Sequence, residues 1–299
     1  MTSQNELFDR RIMARMRERA AAGIAAYDFL LRRASEDIVE RLGAVQRDFP
    51  LAINICAHHG VLSEMMAALP HVGTVISLEE SPGLSAQCPP PRVRGDIEML
   101  PFAGETMDLA VSALALQFAN DLPGTLVQIR RALKPDGLFM AALLGGTTLH
   151  ELRACLMAAE TEVTGGAAPR VAPMADVRDF GGLLQRAGFS LPVSDTDIVQ
   201  VSYETPFALM RDLRGMGAAN ALRERSRRPL RRDIMMRAAE IYAETYPAAD
   251  GRVTATFEII TLTGWAPHES QQQPLRPGAA QGRLADALGT EEQSAGDKA

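Results

Sequence analysis

Hydrophobic periodicity changes near residue 49. Upstream, Tyr27, Leu30, Leu31, Ile38 and Leu42 recur at spacings that put apolar groups on one side of a helix, so the Arg- and Ala-rich stretch 5–43 predicts an N-terminal helical arm. Phe49-Pro50 ends that pattern. Leu51-Ala52-Ile53-Asn54-Ile55-Cys56 is then a short, nearly continuous apolar run, as expected of a strand buried on both faces in a parallel sheet.

The alternation repeats downstream. A helix is predicted from Val61 to Leu69, strands at Thr74–Glu79, Arg92–Gly95 and Asp108–Leu114, a helix from Leu122 to Leu133, and a strand at Leu138–Leu144. Strand, helix, strand at this pitch with right-handed crossovers predicts a doubly wound, mostly parallel α/β sheet. Beyond Gly145-Gly146 come helices at 149–163 and 177–187, a strand at 197–201, helices at 207–215 and 232–245, and a strand at 256–264. The chain thus divides into an arm (1–48), an α/β domain (49–268) with helical insertions at about 147–172 and 203–250, and a polar tail (269–299) whose composition predicts disorder.

Composition narrows the function classes. With 46% hydrophobic and 23% charged residues, the 299-residue chain is of soluble globular type. A net charge of -6 argues against general nucleic-acid binding, which needs a basic surface. Cys56, Cys88 and Cys155 are odd in number and unclustered, fitting free thiols better than a disulfide framework or zinc site. No apolar run approaches the roughly 20 residues of a membrane helix, and the N-terminal arginines are interleaved with acids without an apolar signal core, so no membrane span and a cytoplasmic location are expected.

A sheet of this kind binds its ligand at the carboxyl ends of the strands, and the turn after the first strand needs glycine for close backbone approach. Here that turn runs from Asn54 through Cys56 and His58 to Gly60, and only the last position is glycine. Glu79 ends the second strand, where a carboxylate accepts ribose hydroxyls, and Asp96-Ile97 follows the third, where adenine is met. Both acids also read as solvated loop carboxylates. His58-His59 beside Cys56 raises a metal site, but neighbours in one loop seldom face one ion, and no metal is expected. The cluster Arg223, Arg225, Arg227, Arg228, Arg231 and Arg232 is a solvated face or a patch for an acidic partner. Met210, Met216, Met235 and Met236 read first as core filler.

In order, the segments Leu51–Gly60, Glu79, Asp96–Phe102, Met107–Leu109, Asn120–Pro123 and Leu133–Gly137 resemble a class I S-adenosylmethionine-dependent methyltransferase. More narrowly, Gly145–Arg153, Asp212–Gly217, Gly264-Trp265 and His268–Ser270 resemble bacterial relatives of the mitochondrial complex I assembly factor of this fold. The malonyl-acyl-carrier-protein methyltransferase of biotin synthesis is a more distant likeness. The resemblance spans about Phe8 to Gln273. It implies a Rossmann-like seven-stranded sheet, S-adenosylmethionine held by Asn54, Cys56, His58, Gly60, Glu79, Asp96 and Ile97, and a substrate side at Gln117 and Phe118.

It also implies methylation of a protein or carrier-bound acceptor. The alternative it carries is assembly of respiratory complex I, by arginine hydroxylation or without catalysis, through a bound subunit. The family pattern is an acid followed by glycines at alternate positions, and Asn54, Cys56 and His58 depart from it. If the loop keeps its left-handed backbone, each non-glycine costs about 1–2 kcal/mol, and two of them lower affinity by roughly one to three orders of magnitude.

Overall fold

The computed structural model describes residues 6–248, 250–272 and 289–290. Its seven strands are β1 (Phe49–Ile55), β2 (Val72–Leu78), β3 (Arg92–Val93), β4 (Met107–Ala113), β5 (Leu133–Leu144), β6 (Ser190–Tyr203) and β7 (Val253–Trp265). They form one sheet in the order β3-β2-β1-β4-β5-β7-β6. The first five pair in parallel, and β7 runs antiparallel between β5 and β6. This is the doubly wound, seven-stranded, mostly parallel arrangement expected. Order reverses between β1 and β4, which opens a crevice at their carboxyl ends.

Alternating strand residues bury two faces, which explains the continuous apolar runs. Ile53, Ile55 and Ala110 pack against Leu126 and Ile129 of α5 (Leu122–Ala132) and Phe180 and Leu184 of α7 (Val177–Arg186). Ala52, Leu109 and Val111 face α2 (Phe29–Gly43) and α3 (Val61–Ala67) through Ile38, Leu42, Leu62 and Met66. Two further helices complete the chain up to β3 and are considered with the site: α1 (Arg10–Ala20) and the single-turn α4 (Pro82–Ser85). The insertions supply α6 (His150–Thr164), α8 (Pro206–Gly215) and α9 (Arg232–Thr245), which pack with Val253, Ala255 and Phe257 of β7 in a third cluster.

The predicted single arm is two helices. The apolar spacing from Leu30 to Leu42 belongs to α2, a full member of the sheet's helix layer. Gly23 and a short 3-10 turn at Ile24–Ala26 separate it from α1, which buries none of its residues. Two strands outrun their predictions. β5 starts at Leu133 because Leu133-Lys134-Pro135-Asp136-Gly137 is an irregular strand opening, with a register shift against β4, rather than a turn. β6 spans fourteen residues instead of five because it lies at the sheet edge, where half-exposed residues blur the apolar signal. Among the described residues no helix is long and apolar enough to cross a membrane. Disorder in the tail was expected for a segment lying mostly outside the described residues.

Candidate functional site

The turn after β1 keeps left-handed backbone at alternate residues. Cys56 has φ 58°, His58 φ 54° and Gly60 φ 91°. Gly60 is required, since a Cβ there would sit 2.6 Å from Pro89 Cδ and 2.8 Å from the Cα of Cys88. The turn around the two non-glycine residues is held by hydrogen bonds from the peptides between them: Ala57 N–H donates to the carbonyl of Leu78 at 2.9 Å and His58 N–H to Glu79 Oε2 at 2.9 Å. Asn54 turns inward instead. Its Nδ2 donates to Ser63 Oγ at 3.0 Å, and Ser63 meets Ser77 Oγ at 2.8 Å, a buried polar link joining β1, α3 and β2.

The side chains of the turn fill space that glycines would leave open. The His58 ring is buried, with Nε2 at 3.0 Å from the carbonyl of Ala113 and Nδ1 at 3.4 Å from Arg17 Nη1. A carbonyl can only accept, so Nε2 carries the proton and Nδ1 accepts from the guanidinium. Burial, reinforced by the Arg17 charge, pushes the His58 pKa well below its ordinary value and keeps the ring neutral. Burial also pushes the Cys56 thiol up, so it stays protonated.

Glu79 follows β2 and is fully enclosed. Its carboxylate accepts from His58 N–H, from Ser81 N–H at 3.0 Å, and from Arg17 Nη2 at 2.8 Å. Burial opposes the charge on Arg17, yet its pKa is raised, and the Glu79 carboxylate is the anion that holds the guanidinium charged. The next residue on α1, Glu18, accepts from Ser81 Oγ at 2.6 Å and Gly83 N–H at 2.9 Å, at the start of α4. Asp96 is engaged in the same way: Arg10 Nη2 lies 2.6 Å from its Oδ1, with Glu98 and Glu80 at 3.4 and 3.6 Å from the same guanidinium. Ile97 packs against the core.

Beside this cluster is a mostly apolar cavity of about 450 Å³, roomy enough for a small molecule or an extended side chain. Arg17, His58, Gln117 and Phe118 line it, together with Leu152 of α6 and Met210 of α8. Met216 and Met235 also face it, so three of the methionines read as core filler line a cavity instead. Phe118 meets Phe8 edge-on at 5.5 Å, and both amide atoms of Gln117 are buried without a hydrogen-bond partner. Of the predicted ligand residues, only His58, Gln117 and Phe118 reach this space. The arginine cluster is partly structural: Arg223 pairs with Glu6, Arg225 with Asp9 and Arg231 with Asp233, while Arg227, Arg228 and Arg232 are exposed.

The methyltransferase domain family matches residues 55–141, the segment carrying the turn, Glu79, Asp96 and Gln117. Across nearly its whole length the chain is 40% identical to the arginine-hydroxylase NDUFAF5, mitochondrial, of Danio rerio, covering 94% of this chain and 89% of that one. It is 39% identical to the Homo sapiens protein of that name, covering 92% and 81%. The chain belongs to the class I methyltransferase family. Within it, a malonyl-[acyl-carrier protein] O-methyltransferase of Methylovorus is 33% identical over 89% of this chain and 92% of that one. The YcgJ protein of Bacillus subtilis shares the fold at TM-score 0.55 and 12% identity, covering 79% and 99%.

Against the family's cofactor, the arrangement does not fit. The two carboxylates that would meet ribose and adenine are bonded to Arg17 and Arg10, and Glu79 has no exposed surface. Sequence reasoning located the carboxylates and missed the arginines. Their seven-residue spacing, two turns on one helix face, was the available signal.

Proposed function

We propose that this chain is an assembly factor for respiratory complex I that grips a subunit segment in the apolar cavity, using the methyltransferase fold as its frame. The observation carrying this reading is the closure of the cofactor side, with Glu79 enclosed and bound to Arg17, beside a cavity that remains open to an occupant. Likeness to relatives named arginine hydroxylases over 94% of the chain supports the same direction. The cavity's apolar walls would bury the stem of a long side chain, and Gln117 offers an amide whose donor and acceptor are both unused. Among the described residues no three His, Cys, Asp or Glu side chains converge on a point that would hold a metal ion. What the cavity supplies is the holding of the segment.

The second reading is methyl transfer to a protein or carrier-bound acceptor. Glu79 and Asp96 at the ends of β2 and β3 favour it, because their placement is the one the cofactor requires. The test is deletion of the coding sequence, with complex I quantified and its subunits mapped by mass spectrometry, together with affinity capture on the tagged full chain. Capture of a complex I subunit, lost in Met210→Trp, and reduced complex I in the deletion are expected. An arginine carrying one oxygen only when the chain is present would add hydroxylation, and a methyl group in its place would favour the second reading. Unchanged complex I and no captured subunit would sink the first.

A further inference from the structure

The arginines of the second insertion gather where the cavity opens. Between residues 211 and 232 the chain has eight arginines and two acids, in a protein whose net charge is -6. Three of the eight are spent on internal pairs, Arg223 with Glu6, Arg225 with Asp9 and Arg231 with Asp233. Among the described residues no carboxylate pairs with Arg214, Arg227, Arg228 or Arg232, and all four are exposed.

Their place follows from the path of the chain. Met210, Leu213 and Arg214 stand at i, i+3 and i+4 on α8 and all line the cavity, so the exposed Arg214 sits at its opening. The loop after α8 lines the cavity at Ala221, is exposed at Arg227, Arg228 and Pro229, and returns to the cavity at Leu230. At roughly 3.5 Å per extended residue, the backbone of Arg228 and Arg232 lies within about 7 Å of Leu230, and that of Arg227 within about 11 Å. The loop is tied down before it turns outward: Asn220 Nδ2 donates to the carbonyl of Pro169 at 2.9 Å, and Arg223 N–H to that of Leu7 at 2.9 Å. Cationic side chains are thus held at the rim of an apolar recess. The recess alone does not select a sign of charge, but unpaired guanidinium groups around it do, since they draw in an acidic partner and repel a basic one.

We propose that the segment entering the cavity is an apolar stretch flanked by aspartates or glutamates, and that Arg214, Arg227, Arg228 and Arg232 form the cationic rim that meets those acids. This rests on the reading of the cavity as the seat of a partner segment, and adds which segments the cavity admits. A flat anionic membrane would meet the same charges but leave the recess behind them unfilled.

The test uses the full chain and two fluorescent peptides that share a leucine and methionine centre, flanked by glutamates in one and by lysines in the other, with binding followed by anisotropy. The glutamate peptide should bind about tenfold or more tightly than the lysine peptide at about 0.01 M salt, where the screening length is about 30 Å, and lose most of that preference at about 1 M, where it is about 3 Å. Arg227→Glu together with Arg228→Glu should reverse the preference, and Met210→Trp, which fills the recess, should weaken the glutamate peptide. Equal binding of the two peptides, binding of neither, or a preference that the paired substitution leaves unchanged overturns the proposal. Binding to vesicles of anionic phospholipid that the paired substitution abolishes, with the peptides undistinguished, overturns it in favour of a membrane surface. A glutamate preference in a chain whose deletion leaves complex I unchanged would keep the charge selectivity of the rim and remove complex I as the partner.

Discussion

Arg17 and Glu79 stand 62 residues apart in the chain, yet Nη2 of the guanidinium lies 2.8 Å from Oε2 of a carboxylate that has no contact with solvent. Removing one partner of a buried pair strands the other, at a cost of about 3–5 kcal/mol. Arg17→Met should lose about that much stability in chemical denaturation, with the midpoint falling at unchanged slope. Adding Glu79→Gln should return most of the loss. A double variant as unstable as the single one would show that α1 packing, and not charge, is what Arg17 supplies.

His58 makes stability depend on pH. Its pKa in the folded chain lies well below the ordinary 6.5 because the ring is buried next to Arg17, so below about pH 6.5 the unfolded chain binds a proton that the folded chain refuses. Stability is fully present above that pH and falls as pH drops toward the folded value, by at most about 1.4 kcal/mol per pH unit for one group. Glu160, which Arg170 holds below its ordinary 4.5, adds a slope of the same sign only at lower pH. Denaturation measured from pH 7 to 5 should show the fall, and His58→Asn, which tolerates the left-handed backbone, should flatten it.

How much of this was legible in the sequence depended on where each signal sits. β1, β2 and β4 were readable to within about two residues, because Ile53, Ala110 and their neighbours form short apolar runs buried on both faces of the sheet. The left-handed turn was legible through family spacing, and Cys56 and His58 hold the positive φ that glycines would have taken. Arg10 and Arg17 were not legible as site residues. Charged side chains on an amphipathic helix normally face water, and only tertiary docking brings these onto Asp96 and Glu79. The same holds for Met210 and Met216, since a cavity wall and a core have the same sequence signature.

At Cys56 the backbone sets the order of tolerated residues. With φ at 58°, a β-branched side chain is disfavoured by roughly 1–3 kcal/mol, whereas glycine is free of strain but gives up a small amount of packing. Cys56→Gly should remain within about 1 kcal/mol of the unsubstituted chain, the gain in geometry offsetting lost packing and unfolded-state entropy. Cys56→Val should be clearly less stable by thermal unfolding. If both melt alike, the turn has a different conformation in solution.

All three cysteines are buried, and burial pushes the thiols of Cys88 and Cys155 up to about 11 and that of Cys56 higher still. The thiolate is the reactive form, so near neutral pH none is both ionised and accessible. A colourimetric disulfide reagent should label no cysteine in the native chain within minutes and all three after denaturation. Fast labelling of Cys56 alone would indicate that α1 spends much of its time undocked.

Gly215 ends α8, and a Cβ there would run into the ring of Tyr27, which also lines the cavity. In an unconstrained helix, glycine to alanine stabilises by about 1 kcal/mol. Here the sign should reverse: Gly215→Ala must displace an aromatic ring, an overpacking cost of roughly 1–3 kcal/mol. In a Tyr27→Ala background the obstacle is gone, and the same substitution should become neutral or stabilising. Thermal unfolding of the four chains measures this coupling directly, since residues in contact fail additivity where distant ones obey it. Additive effects would mean that the insertion and the segment joining α1 to α2 do not touch at this point.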